Sequence, residues 1–232
     1  MSETLLRILF KLSGEALKAA NGPFSPDALQ RVSDQIASAP AEWAIVVGGG
    51  NLIRGARSPW LDRIEGDTLG MLATVMNALA LRSHLEKLGK HVLIQSAIDT
   101  QFTKSVSPTA AKRALKEGTV VVFAGGTGSP LVTTDTAAAI RAVSINADLL
   151  IKGSNVDGVY SGDPTSDSAA ELLRDVSYDN FLANRYGVMD QVAIEICREH
   201  NVPVEVFNLD MPGALQSITK GEQVGTRIGS PN

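Results

Sequence analysis

Two lysines sit where apolar residues are expected. Lys11 lies inside Arg7-Ile-Leu-Phe-Lys-Leu-Ser-Gly14, and Lys152 closes the run Ala147-Asp-Leu-Leu-Ile-Lys. A buried lysine is costly unless it meets an anion; for Lys11 the other reading is an edge-strand charge that blocks aggregation. Glycines follow three apolar runs: Ser13-Gly14 after the first, Gly48-Gly-Gly-Asn51 after residues 44–47, and Gly125-Gly-Thr-Gly128 after residues 120–124. At such places glycine lets the backbone take positive φ and come close to a ligand. Thr133, Thr134 and Asp135 then supply N-cap residue types for an Ala-rich helix. A strand, a glycine loop and a free helix N-terminus form an anion site, because unpaired N–H groups and the positive dipole end point at its occupant. One glycine loop alone can arise from packing. Two such loops with Lys11, Lys152 and Arg54, which lies four residues beyond Gly50, make a site for several phosphates, which fits a phosphoryl donor and a phosphorylated acceptor held in line.

The elements that place these residues alternate. Strands are expected near residues 7–14, 44–47, 91–95, 120–124, 147–152 and 204–207, with helices near 25–38, 68–88, 108–117, 178–184, 188–200 and 212–220, an Ala-rich helix opening at residues 133–135 and a terminal segment at 226–228. Asp157-Gly158 is a turn signal and predicts a small hairpin. In the 68–88 helix, Leu69, Leu72, Val75, Met76, Leu79 and Ala80 form one apolar stripe, while Met71 and Ala73 add apolar surface off it, as a helix covered on a second side by another subunit would. Asp67 just before it is a charge favoured by the helix dipole. The alternation predicts an α/β fold, a mainly parallel sheet covered on both faces, with ligands beyond the carboxyl ends of the strands. Lys11, Ser13, Gly14, the Gly48–Gly50 run, Gly125–Gly128 and Lys152 all lie at such ends.

Composition narrows the classes further. The 232 residues make one large domain or two small ones, 44% hydrophobic and 20% charged. The net charge of −4 offers no basic face for nucleic acid. Apolar runs are too short to cross a membrane and the N-terminus lacks a signal peptide's pattern, so no membrane and a cytoplasmic location are expected. Cys197, the one cysteine, excludes an internal disulfide and reads as a packed helical residue. His84, His91 and His200 lack metal-ligand spacing, so no protein-held metal is expected. The Gly-Lys-Ser/Thr ATPase loop is absent, and Gly48-Gly-Gly-Asn-Leu-Ile lacks the third glycine of the dinucleotide fingerprint.

Longer motifs carry a family resemblance. Lys11-Leu-Ser-Gly-Glu-Ala-Leu17, Gly48-Gly-Gly-Asn-Leu-Ile-Arg-Gly55, Gly66-Asp67, Gly70-Met-Leu-Ala-Thr-Val-Met-Asn77, Gly126-Thr-Gly-Ser-Pro130 with Thr133-Thr-Asp135, and Val156-Asp-Gly-Val-Tyr160 with Asp163-Pro164 are similar to those of the bacterial UMP kinases of the amino-acid kinase family. The similarity continues to Val206-Phe-Asn208 and Pro212-Gly-Ala-Leu215, nearly the whole chain. It implies a single domain over residues 1–232 with the three-layer αβα sandwich of that family, its UMP-binding part roughly 1–150 and its ATP-binding part roughly 151–232.

The resemblance also implies the activity: transfer of the γ-phosphoryl of ATP to UMP, giving UDP and ADP for pyrimidine biosynthesis, with Mg2+ carried on the ATP phosphates. Lys11, Arg54 and Asp135 would be catalytic, with Asp135 orienting Lys11. Lys11, Leu12, Ser13, Gly14, Gly50, Arg54, Ser154, Tyr160 and Asp163 would bind ATP. Gly49, Asp67, Thr127, Gly128, Ser129, Pro130, Leu131, Val132, Thr133 and Thr134 would bind UMP, Asp67 through the ribose hydroxyls, an assignment that outranks the dipole reading. A homohexamer, allosteric control and UTP inhibition through the UMP site follow from the same resemblance. For GTP activation the segment 86–117 holds few of the basic and aromatic residues the family uses, although Arg82 remains. Ser129 stands where many members have Asn, and Ser154-Asn155 where Thr-Lys is frequent. Two other readings stay open beside this one: a small-molecule kinase of the same fold acting on an amino acid, carbamate or isopentenyl phosphate, whose members lack the Gly70–Asn77 motif, and a non-catalytic nucleotide-binding or storage protein.

Overall fold

The first strand sets the layering. In β1 (Arg7–Leu12), Ile8, Phe10 and Leu12 join one apolar cluster and Leu9 joins another, as a side-chain period of two requires of a strand buried on both faces. A computed structural model describes residues 5–53, 58–162 and 169–229. After β1 come a 3-10 turn (Gly14–Leu17), α1 (Pro26–Ser38), β2 (Glu42–Val47), α2 (Arg63–Lys87), β3 (Val92–Ser96), β4 (Lys104–Ser105), α3 (Pro108–Lys116), β5 (Val120–Ala124), α4 (Thr134–Ile145) and β6 (Leu149–Ser154). The chain continues through β7 (Val159–Tyr160), β8 (Leu172–Leu173), β9 (Asp175–Ser177), α5 (Tyr178–Asn184), α6 (Gln191–Glu199), β10 (Val204–Asn208), α7 (Ala214–Thr219) and β11 (Thr226–Gly229).

Among the described residues nine strands form one sheet in the order β4-β3-β5-β2-β1-β6-β10-β11-β9, parallel except where β11 runs against β10. Helices α1, α2 and α7 pack on the face bearing Phe10, through Val32, Leu81 and Leu215, and helices α3 to α6 cover the opposite face, through Leu115, Ala138, Phe181 and Ile194. This is the expected three-layer αβα sandwich, and Cys197 is buried in its second layer. The caps follow sequence: the Ser25 hydroxyl accepts from Ala28 N at 3.1 Å with Pro26 at the first helical position, and Ser107 does the same for α3 ahead of Pro108.

Three expectations are corrected. The predicted hairpin at Asp157-Gly158 does not form, because β6 has both edges taken, by β1 and β10, and β7 pairs instead with β8. Helix α2 begins at Arg63, with the Asp62 carboxylate accepting from Ile64 N at 2.9 Å, so Asp67 lies inside the helix instead of ahead of it. Of the stripe along α2 only Val75 is buried; Leu69, Leu72 and Met76 are exposed, and the core face is Ala73, Thr74, Asn77, Ala78, Leu81 and Leu85. The buried face includes a threonine and an asparagine, which periodicity of apolar residues does not detect.

Candidate active site

Lys11 and Lys152 are register partners on the neighbouring strands β1 and β6, and both project to the face that α4 covers, as Leu9 and Leu150 do two residues earlier. Asp135, in the first turn of α4, meets both: Lys11 Nζ lies 2.7 Å from its Oδ1 and Lys152 Nζ 2.6 Å from its Oδ2. The three side chains are 9–13% exposed. Burial alone would raise the Asp135 carboxyl, but the two ammonium groups outweigh it and hold the pKa at about 2. Burial and the like charge of Lys11 lower the pKa of Lys152, against the pull of Asp135 and Asp190. Two cations and one carboxylate leave a surplus positive charge, and both lysines line a cavity of about 1330 Å³. Costly buried cations with one shared counter-charge are a preformed seat for a polyanion.

The start of α4 is capped by Thr133, whose hydroxyl accepts from Asp135 N at 3.0 Å and Thr136 N at 3.4 Å. Asp190, the cap residue of α6, reaches across to the same turn, accepting from Thr136 Oγ1 at 3.0 and 2.9 Å and from Thr133 Oγ1. Sequence reasoning missed this contact. An Asp ahead of an apolar-periodic run marks Asp190 as a helix cap, but no signal in the chain joins it to α4.

The glycine loops are held by α2. Asn77 Nδ2 donates to Gly48 O at 2.6 Å and to Asn51 Oδ1 at 2.7 Å, and Asn51 Nδ2 donates to Pro23 O at 2.7 Å. The Thr74 hydroxyl accepts from Gly125 N at 2.7 Å and donates to Met71 O at 2.7 Å. One helix face thus ties down both loops, and this gives the Gly70–Asn77 motif a structural meaning that its resemblance alone did not supply. Gly49 is pressed against the same helix: a Cβ there would come within 2.6 Å of Gly70 O and 2.9 Å of Ala73 Cβ. The turn after β1 interlocks with the loop after β2, since a Cβ on Gly14 would lie 2.6 Å from Gly50 N.

The remaining candidates fall into two groups. Lys11, Ser13, Ser154 and Tyr160 share the lining of the large cavity, whereas the Leu12 side chain is buried in the core and leaves only its backbone available. In the second group, Leu131 N donates to Asp67 Oδ2 at 2.9 Å, and Arg63 Nε donates to the same oxygen at 2.9 Å. Oδ1 of Asp67 has no protein donor among the described residues. Leu131 takes the left-handed conformation at φ 67°, and with Val132 it is an exposed apolar side chain. Thr127 Oγ1 accepts from Ser129 N and donates to Ser129 O, both at 3.2 Å, and Gly128 sits at φ 83° between them. Ser129 is exposed and Pro130 half-buried. The Thr134 hydroxyl makes no hydrogen bond among the described residues and lies 3.5 Å from where a Cβ on Gly48 would stand. Arg54 and Asp163 lie outside the described residues.

Comparison with known proteins points one way. The profile of the amino acid kinase family matches residues 6–208. The uridylate kinase of Stutzerimonas stutzeri is 46% identical over 233 residues, 97% of this chain and 94% of that one, and that of Ectopseudomonas mendocina is 45% identical over 96% and 93%. The crystal structure of UMP kinase from Bacillus anthracis superposes with a TM-score of 0.94 at 35% identity, covering 99% of this chain and 98% of that one. UMP kinase from Ureaplasma parvum superposes at 0.91 with 32% identity, over 97% and 99%.

Proposed function

The chain belongs to the amino acid kinase family, and on that premise we propose that it is a UMP kinase, moving the γ-phosphoryl of ATP to UMP to give UDP and ADP. The observation that carries this is the in-register pair Lys11 and Lys152 on one carboxylate, in the lining of a cavity large enough for a nucleoside triphosphate.

ATP occupies the cavity lined by Ser13, Ser154 and Tyr160, its phosphates reaching Lys11 and Lys152. The UMP phosphate lies between Gly49, Gly50 and the start of α4, where backbone N–H groups and the free Thr134 hydroxyl donate to it. Residues 127–132 surround uracil, and Asp67 accepts from the ribose hydroxyls through Oδ1. A UMP phosphate oxygen attacks Pγ; the bond from Pγ to the β-bridging oxygen breaks, and ADP leaves with that electron pair. The nucleophile is already an anion, so no proton moves and positioning with charge stabilisation suffices. Lys11, Lys152 and Arg54 neutralise charge that grows on the bridging and equatorial oxygens. Asp135 keeps the two ammonium groups aimed and is itself engaged by both, so it offers no free carboxylate to a metal. Mg2+, as the family resemblance implies, would be held by the ATP phosphates and would add charge neutralisation there.

UTP, which shares the uracil and ribose of UMP, would compete for the UMP site and inhibit. A homohexamer accounts for the exposed apolar face of α2, where Ile64, Leu69, Leu72 and Met76 are 37–51% exposed. Among the described residues no helix is long and apolar enough to cross a membrane. ADP release measured with ATP, Mg2+ and UMP, CMP, dUMP or GMP tests the reading. Turnover with UMP and a loss on removing the 2′-hydroxyl are expected; silence with every acceptor overturns it.

A further inference from the structure

Asp190 holds the first turn of α4 from outside the helix. Its carboxylate caps α6, accepting from Ala193 N at 2.7 Å, and also accepts from both Thr136 Oγ1 and Thr133 Oγ1. Its backbone N–H points at Asp135 Oδ2 across 3.4 Å. A threonine hydroxyl has one proton and two lone pairs. Thr133 gives the proton to Asp190 and receives Asp135 N and Thr136 N on its oxygen, so its side chain has nothing left for an acceptor phosphate. Thr134, one residue on, is the reverse case: among the described residues its hydroxyl has no hydrogen-bond partner, and it lies close to Gly48.

We infer that Asp190 is a positioning residue for the acceptor end of the site. By taking up the Thr133 hydroxyl and holding Thr136, it fixes the rotation of the first turn of α4. That rotation aims Asp135 at the two lysines and Thr134 at the acceptor phosphate. Thr133 is in turn a fastening of the site and contacts UMP only through its backbone.

The inference rests on the UMP kinase reading for its substrate, and its test separates the two. Asp190→Asn keeps an Oδ1 to cap α6, since Asn caps as well as Asp, but it puts a donor where Oδ2 accepts from Thr133. A residue that only capped α6 would tolerate this change. The expected result is a kcat/KM for UMP lower by on the order of 100-fold, with KM for ATP and Tm close to the parent's. Thr133→Val should reproduce the loss, with a lower Tm because it also removes the cap of α4, and the double variant should have a kcat/KM no worse than Thr133→Val alone, because both break the Thr133–Asp190 contact. Amide exchange at Asp135 and Thr136 should quicken in each variant. Parental kcat/KM for UMP in Asp190→Asn, or additive losses in the double variant, would overturn the inference. If the parent itself fails to turn over UMP, the kinase reading falls, and unchanged amide exchange in the first turn of α4 would still overturn the role given to Asp190.

Discussion

Lys11 and Lys152 occupy one rung of the sheet, side by side on parallel strands, and Asp135 closes the gap between their ammonium groups from above. Burying two cations side by side is costly unless an anion meets them. One carboxylate supplies half of the balancing charge; in the proposed reaction the triphosphate of ATP would supply the rest.

Replacing Asp135 by Asn leaves the two lysines repelling each other in a buried place. Breaking a buried charge pair costs about 3–5 kcal/mol, so Asp135→Asn should lower Tm markedly and lose nearly all turnover. Because ATP phosphates are anions for the same lysines, ATP should raise the Tm of the variant by more than it raises that of the parent. Differential scanning fluorimetry with and without ATP checks this; an equal shift in both proteins would contradict the shared role of carboxylate and phosphate.

The same pair sets two pH limits. The pKa of Asp135 is about 2 in the folded chain, below an ordinary aspartate near ~3.9. Its stabilisation is therefore full above ~3.9 and is lost as pH falls through about 2, on the order of 2–3 kcal/mol. Acid unfolding in the parent should show this limb, and Asp135→Asn should lack it. At the alkaline end, burial and Lys11 lower the pKa of Lys152, so kcat should fall with rising pH below the ordinary lysine value of ~10.4. Stability moves the other way for this group, since a lysine whose folded pKa is depressed adds stability as pH rises through it. Lys152→Arg should move the kinetic limb to higher pH, as guanidinium does not titrate there.

Thr74→Val keeps the shape of the side chain but removes the oxygen that receives Gly125 N. A buried N–H left without a partner costs about 1–3 kcal/mol. Since that loop leads into residues 127–134, KM for UMP should rise while KM for ATP holds. Asn77→Ala frees the Gly48–Asn51 loop and should affect both substrates, since this loop lies between them. Steady-state kinetics in both substrates distinguish the two variants.

Gly49→Ala places a methyl 2.6 Å from Gly70 O. Helix and loop must part, so UMP affinity should drop by at least an order of magnitude and Tm should fall by the cost of overpacking, about 1–3 kcal/mol. Gly70→Ala meets open space and should leave Tm unchanged or higher, because alanine favours helix over glycine by about 1 kcal/mol.

How much of this could be read from the chain differs from element to element. The cap at Ser25, the buried strand 120–124 and the helix opening at Thr133 were legible because each rests on residues next to one another: a hydroxyl near a helix N–H, a β-branched run, a glycine stop. The hairpin at Asp157-Gly158 and the orientation of α2 were not legible. The turn residues are there, but whether two strands pair depends on which edges distant strands have already taken, and β1 and β10 had taken those of β6. The core face of α2 carries Thr74 and Asn77, whose burial makes sense only with the glycine loops they bind.

Sequence by itself determined the parts of the site: two lysines in apolar strands, glycine loops at strand ends, an acid at a helix start, and motifs long enough to mark a family. Only the tertiary structure decided that Lys11 and Lys152 share a rung, that Asp135 neutralises both, and that Asp190 holds the turn on which Asp135 sits. The physical reason is that residue type and local pattern act over a few positions, whereas strand order and register come from packing both faces of a sheet at once. Charges far apart in the chain meet only when that packing is complete.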